Sequence, residues 1–233
     1  MIAQLLERLL GWLGYGLCHQ LPERSFFGGG LQAPVCVRDT GIYLGFVIAL
    51  ALLTAIHRRE RASGFPAPGA WVLFLCLVGF MGWDGVTSYA GLRETTNELR
   101  LITGLGVGFS AAAVVFPMLN GEFWTESTEQ RALSPLWRLA LWLLGIPVSH
   151  VLISRAGPLL GIAFPLVIAF AILATYVAVN MVIVALLPPF NRRVSSWAGL
   201  VVPACIGLVL TLFEIGFASQ AKAWLERVVL LLS

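Results

Sequence analysis

Charge is what this sequence has least of. Only 12% of its 233 residues are Asp, Glu, Lys or Arg, while 58% are hydrophobic. A soluble domain carries about 25% charged residues. This chain therefore lacks the polar surface to cover a water-soluble globule, and the same composition excludes intrinsic disorder. The net charge of +3 is too mild for a nucleic-acid binder, and no dense basic run is interleaved with aromatics in a polar loop. Short alternating strands of the outer-membrane barrel kind are missing. So are a Ser-His-Asp order, a zinc-protease helix and a phosphate loop. Gly104-Leu105-Gly106-Val107-Gly108 lacks the spacing and the preceding strand of a dinucleotide fingerprint. Glu7 and Arg8 interrupt the first apolar stretch and no small-residue cleavage site follows, so that segment is expected to stay in the mature protein.

What the chain has is long apolar runs, with a mean hydropathy of +0.87. A spanning helix needs about 20 apolar residues. Seven segments are candidates: Ile2–Leu17, Gly41–Ile56, Ala70–Ala90, Leu101–Leu119, Leu136–Ile153, Leu159–Leu187 and Trp197–Phe217. Backbone polar groups in lipid must be satisfied within their own segment. The expected fold class is therefore an all-α, polytopic transmembrane helix bundle. The first segment is short and charged, and either spans, lies in the interface, or enters and stops. The tail, Ala218–Ser233, carries Lys222, Glu226 and Arg227 and reads as a separate interfacial helix. Arg155-Ala156-Gly157-Pro158 reads as a tight turn. Gly104 and Gly108 fit close helix packing, and Asn180 an interhelical hydrogen bond. Trp12, Tyr15, Tyr43, Trp83 and Trp197 read as interfacial anchors.

The chain divides into a motif-bearing half, residues 1–119, and a second half, 120–233, with three further membrane segments. The second and third segments form a hairpin. Residues 18–40 and 84–100 therefore share one membrane face. Eight basic residues fall on the opposite face, including the bare clusters Arg58-Arg59-Arg61 and Arg192-Arg193, and seven on the motif face. That small bias, with four of the seven in motif-like sequence, points the bare clusters to the cytoplasm and the motif face outward. The expected location is a prokaryotic cell membrane, multi-pass.

The motif face gathers polar chemistry. Cys18-His19-Gln20 leads into Pro22-Glu23-Arg24-Ser25-Phe26. Cys36-Val37-Arg38-Asp39-Thr40-Gly41-Ile42-Tyr43-Leu44-Gly45 opens the second segment. Asp84 closes the third, and Arg93-Glu94-Thr95-Thr96-Asn97-Glu98-Leu99-Arg100 precedes the fourth. In these stretches, over roughly residues 14–108, the chain resembles a family of prokaryotic multi-pass membrane proteins catalogued as domain of unknown function 2085. The resemblance implies no known activity. Family members usually have a second cysteine where this chain has Asp39. A four-ligand Cys/His/Cys/Cys site of the family would here become Cys18, His19, Cys36 and Asp39.

The residues themselves leave several readings open. Cys36 and Asp39, three apart, can converge on one ion at a helix start, with Cys18 and His19 as further ligands. Thiolate, imidazole and carboxylate suit zinc or another divalent metal, although adjacent Cys18 and His19 rarely point at one ion. Asp84 could replace either. The alternative is a Cys18–Cys36 disulfide on an oxidising face, or free thiols. Arg24, Arg38, Arg93 and Arg100 could hold a phosphate or carboxylate headgroup by bidentate hydrogen bonds, or pair with Glu23, Glu94 and Glu98. Asp84 and Asn97 are the candidate catalytic groups, and His150 and Glu214 could join the cluster. Cys76 and Cys205 lie in apolar runs and read as packing residues. Three functions follow. One is a metal-dependent membrane enzyme acting on an anionic lipid or lipid-phosphate substrate. The second is a transporter or channel subunit using the cluster as an outer site. The third is an assembly subunit with a disulfide-stapled loop.

Overall fold

Seven α-helices form the protein, described over residues 2–232 of a computed structural model. They are α1 (Ile2–Tyr15), α2 (Val37–Ile56), α3 (Pro68–Tyr89), α4 (Asn97–Phe123), α5 (Leu136–Val151), α6 (Ala163–Ala185) and α7 (Val201–Leu232). All but α1 are long and apolar enough to cross a membrane, α5 and α7 with the short helical turns that flank them. The chain is thus a polytopic α-helical membrane protein. At 14 residues, α1 is only about 21 Å long, short of the hydrocarbon core. It packs against α6, α7 and the strand that leads into α2.

Two boundaries differ from the sequence expectation. The Arg155–Pro158 stretch is not the turn. α5 continues through a π-helical turn, Leu152–Ala156, and a 3-10 turn, Gly157–Leu160. Pro158 sits at the start of that last turn, where its missing N–H costs no hydrogen bond. The reversal comes at Gly161, with φ +55°, a left-handed backbone that glycine adopts freely. The tail from Ala218 is not a separate helix either. No Pro or Gly follows Gly216, so α7 runs on unbroken. Its extension is tied to α1: Lys222 Nζ donates to the carbonyls of Tyr15 (2.9 Å) and Cys18 (3.2 Å), and Tyr15 Oη donates to Glu226 (2.5 Å).

α4 is the central helix, with α2, α3, α5 and α6 around it, and α7 packs on α6. The α2–α4 contact is backbone on backbone. A Cβ at Gly41 would meet the main chain of Leu101 and Leu105, one at Gly104 would meet Arg38 and Gly41, and one at Gly108 would meet Ile42 and Phe46. With no water to expel between helices in lipid, such close approach is a main source of association. Asn180 of α6 hydrogen-bonds Thr211 (3.2 Å) and Glu214 (2.9 Å) of α7. Large apolar side chains such as Leu75, Phe170 and Phe213 face outward, as a lipid-contacting surface requires.

The motif face carries a feature that helix periodicity conceals. β1 (Ser25–Gly28) and β2 (Leu31–Cys36) form an antiparallel hairpin. Its two-residue turn, Gly29-Gly30, has φ of +57° and +82°, the signature of the turn type that matches strand twist. Gly28 and Gly29 rest against Gly161 and Ile162 at the head of α6. On the opposite face β3 (Ala62–Gly64) and β4 (Thr128–Arg131) pair in parallel.

Candidate metal centre and arginine cleft

The hairpin delivers one thiol to the other. α1 ends with the N–H groups of Leu17 and Cys18 donating to Gly14 O. Gln20, at φ +53°, turns the chain back, and its Nε2 donates to Gly11 O (3.1 Å) and Pro34 O (2.9 Å). That side chain ties the end of α1 to β2. Cys18 Sγ thereby accepts from the backbone N–H of Cys36 at 3.3 Å. Cys36 ends β2 and is the N-cap of α2, whose first turn holds Asp39, a favoured place for a carboxylate. The Cys36 thiol donates to Asp39 Oδ2 at 3.3 Å.

One ligand atom from each of Cys18, Cys36 and Asp39 therefore lies within 4.8 Å of the other two. A tetrahedral zinc site needs its sulfurs about 3.8 Å apart, given bonds of about 2.3 Å, so small side-chain rotations would complete the set. Two sulfurs and a carboxylate oxygen are a zinc-type donor set. Both cysteines are free thiols, as are Cys76 and Cys205. Cys18 is the thiol that ionises first. The neighbouring Cys36 thiol lowers it to about 7 against the opposing effect of burial, helped by the N–H groups of Gln20 and Cys36. The same contact and burial push Cys36 up. His19 does not join this group. The residue is exposed, its ring 6.5 Å from that of Tyr89, and it lines the mouth shared with the two thiols.

The thiols open into a narrow cleft lined also by Arg24, Arg38, Tyr89 and Arg100. Its free volume of about 20 Å³ holds one water or a bare ion. Arg24, Ser88 and Arg100 also line a wider outer vestibule of about 450 Å³, with Arg93, Thr95, Glu23 and Glu94 around it. The cleft and vestibule thus share one wall.

Asp84 organises that wall. Its carboxylate, fully buried, accepts from Arg38 Nη2, Arg93 Nη2 and Thr95 Oγ1 (2.7 Å). It ties the start of α2, the end of α3 and the α3–α4 loop together. Arg100 is not among its hydrogen-bond partners. The structure instead pairs Arg100 Nη1 with Asn97 Oδ1 (2.9 Å), while Asn97 Nδ2 donates to Glu23 O (3.1 Å). Arg38 has its Nε buried with no acceptor among the described residues. Arg24 lies over the Tyr89 ring at 5.7 Å.

His150, as expected, reaches the motif face, where it pairs with Glu98 at 2.7 Å. Glu214 does not join the cluster, because Asn180 holds it on the α6–α7 pair. Gln20, Thr95 and Tyr89 have roles that residue chemistry did not announce. Gln20 and Thr95 sit inside the quoted motifs, whereas nothing local marks Tyr89.

Fold and site together define a polytopic helical membrane protein with a thiol–carboxylate group beside an arginine cleft. The chain belongs to the family described as predicted membrane protein (DUF2085), whose profile matches residues 18–114. An uncharacterized protein of Methanocaldococcus jannaschii is 39% identical over 102 residues, 44% of this chain and 63% of that protein. An uncharacterized protein of Methanothermobacter thermautotrophicus is 38% identical over 98 residues, 42% of this chain and 83% of the other. This chain thus spans less than two thirds of the first relative's length. No solved structure matches it. The matched region ends within α4 and contains Cys18, Cys36 and Asp39, together with Asp84 and the four motif arginines.

Proposed function

We propose that the protein is a metal-dependent membrane enzyme acting on a small anionic group, of the kind carried by a lipid-phosphate headgroup. One observation carries this reading: the ligand atoms of Cys18, Cys36 and Asp39 converge, and the two thiols among them line an arginine-walled cleft. Three protein ligands leave a zinc-type ion with a position free for water or substrate, the arrangement of catalytic rather than structural sites. Bound there, the metal would supply Lewis acidity or lower the pKa of a bound water.

The chain's own residues supply the rest. Arg24 and Arg100 face both cleft and vestibule and would draw in and orient an anion. Arg38, with one edge fixed by Asp84 and its Nε free, would offer that group a directed hydrogen bond. Asp84 has its oxygens occupied and serves as the strut that aims Arg38 and Arg93. Asn97 positions Arg100. The transport reading draws less support, because Glu214 stands away from the cluster and Asp84 is saturated.

The test is metal analysis of purified protein reconstituted with zinc, followed by turnover of lipid-phosphate substrates. Wild-type and His19→Ala protein are expected to hold one ion per chain, and Cys36→Ser and Asp39→Asn to lose it. Absence of stoichiometric metal in the wild type refutes the metal centre. A metal-loaded protein without turnover refutes the enzyme. The closeness of the two thiols favours a second reading, a reversible Cys18–Cys36 disulfide stapling α1 to α2. It would be seen as a loss of two alkylatable thiols on mild oxidation, with metal absent.

A further inference from the structure

The membrane face opposite the motif cluster holds a second cavity, unrelated to the thiols. It lies between the ends of α2 and α4, the C-terminal half of α6 and the turn before α7. Its free volume is about 200 Å³, and its walls are apolar, with Leu50, Phe116, Leu119, Ala178, Met181 and Leu200 among them. Arg58 and Arg61 stand in the same lining. Neither has a carboxylate within ion-pair distance among the described residues, because Glu60 is taken by Arg138 (3.0 Å) and Glu122 accepts from Asn191 (2.6 Å). Arg61 is nonetheless held in place. Its guanidinium carbon sits 3.0 Å above the Trp124 ring and 5.0 Å from that of Trp197. Stacking fixes the plane of a guanidinium and leaves its N–H edge free for an anion.

We infer that this cavity binds an anionic membrane lipid, its headgroup against Arg58 and Arg61 and part of one acyl chain between α2, α4 and α6. A polar ligand would leave the apolar walls unused, and a neutral lipid would leave two cations, one of them (Arg61) held by stacking, without a counter-charge. The volume also fits a lipid. Closed pockets for drug-sized ligands run from about 300 to 1,000 Å³, so this one takes only a segment of a chain, the remainder staying in the bilayer. An exposed basic pair near a membrane surface contributes about 1 kcal/mol per charge toward anionic lipid, and the cavity converts that general attraction into a defined site.

Native mass spectrometry of the full chain in neutral detergent tests this, with phosphatidylglycerol, phosphatidylcholine and inorganic phosphate as separate probes. One phosphatidylglycerol per chain should bind at least tenfold more tightly than phosphatidylcholine, and phosphate should not compete at equal concentration. Arg58→Gln/Arg61→Gln should weaken binding about 30-fold, from about 1 kcal/mol per charge. Ala178→Phe, which fills the cavity and keeps both charges, should also abolish the single-lipid adduct. Arg192→Gln/Arg193→Gln removes an equal charge outside the cavity lining and should change affinity less than threefold. Equal losses from both arginine pairs would overturn the proposal in favour of unlocalised surface charge. Unchanged binding in Ala178→Phe, or competition by phosphate, would overturn it in favour of a headgroup-only site. None of these variants touches the thiol cluster, so the outcome is independent of the metal reading.

Discussion

Replacing Asp84 by Asn removes one negative charge from a buried centre and leaves two guanidinium groups facing a neutral amide. Asp84 is fully buried, while Arg38 is 13% and Arg93 29% exposed. Breaking a buried pair from one side costs about 3–5 kcal/mol. The partial exposure of both arginines lets water recover some of that, which places Asp84→Asn at the lower end, about 3 kcal/mol. For a chain of this size each kcal/mol moves Tm by about 2–4 °C, so the expected fall is about 6–12 °C. Thermal unfolding in detergent, followed by circular dichroism, reads it directly. The exposed Glu98–His150 pair is the built-in comparison. Glu98 is 71% exposed, so Glu98→Gln should cost under about 1 kcal/mol. If Asp84→Asn lowers Tm no further than Glu98→Gln does, Asp84 is not the strut that holds α2, α3 and the α3–α4 loop. Arg38 is then not aimed into the cleft by Asp84 either.

Other consequences can be measured separately. In metal-stripped protein the alkylation rate of Cys18 should rise with pH through a midpoint near 7, and Cys36→Ala should move that midpoint up by removing the thiol that stabilises the thiolate. A wild-type midpoint at the ordinary value of about 8.5 would refute the pairing. His57 is buried beside Ala132 O (2.8 Å) and Arg138 (3.3 Å), and burial lowers its pKa. Between its folded value and about 6.5 the unfolded chain binds more protons, so stability rises with pH there. This contribution is complete above about 6.5 and is lost as pH falls. In His57→Gln the dependence should flatten, and an unchanged pH profile of Tm would count against it. Thr96 caps α4 by accepting from Leu99 N (3.2 Å), so Thr96→Ala should cost about 1 kcal/mol, read as a Tm drop of about 2–4 °C. Gly104→Leu should abolish folded, detergent-stable protein, because its side chain would occupy the backbone of α2; a monodisperse folded variant would refute the α2–α4 geometry.

The membrane bundle, the six long helices to within a few residues apart from the far end of α7, and the shared face of residues 18–40 and 84–100 were legible in the sequence alone. Each follows from local chemistry: apolar run length, the need to satisfy backbone groups within a segment in lipid, and the alternation of faces from one crossing to the next. Gly104 and Gly108 were legible as packing residues because lipid leaves helices few other means of close association. The hairpin was not, because four- and six-residue strands are too short to stand out beside helical runs. Nor could spacing tell where Cys18 and His19 would point. That depended on Gln20 turning the chain so that one faces Cys36 and the other Tyr89. The partners of Asp84 likewise came from two segments besides its own helix, and the walls of the apolar cavity from four. Which arginine meets which carboxylate is a property of how helices are set against one another, and only tertiary packing decides it.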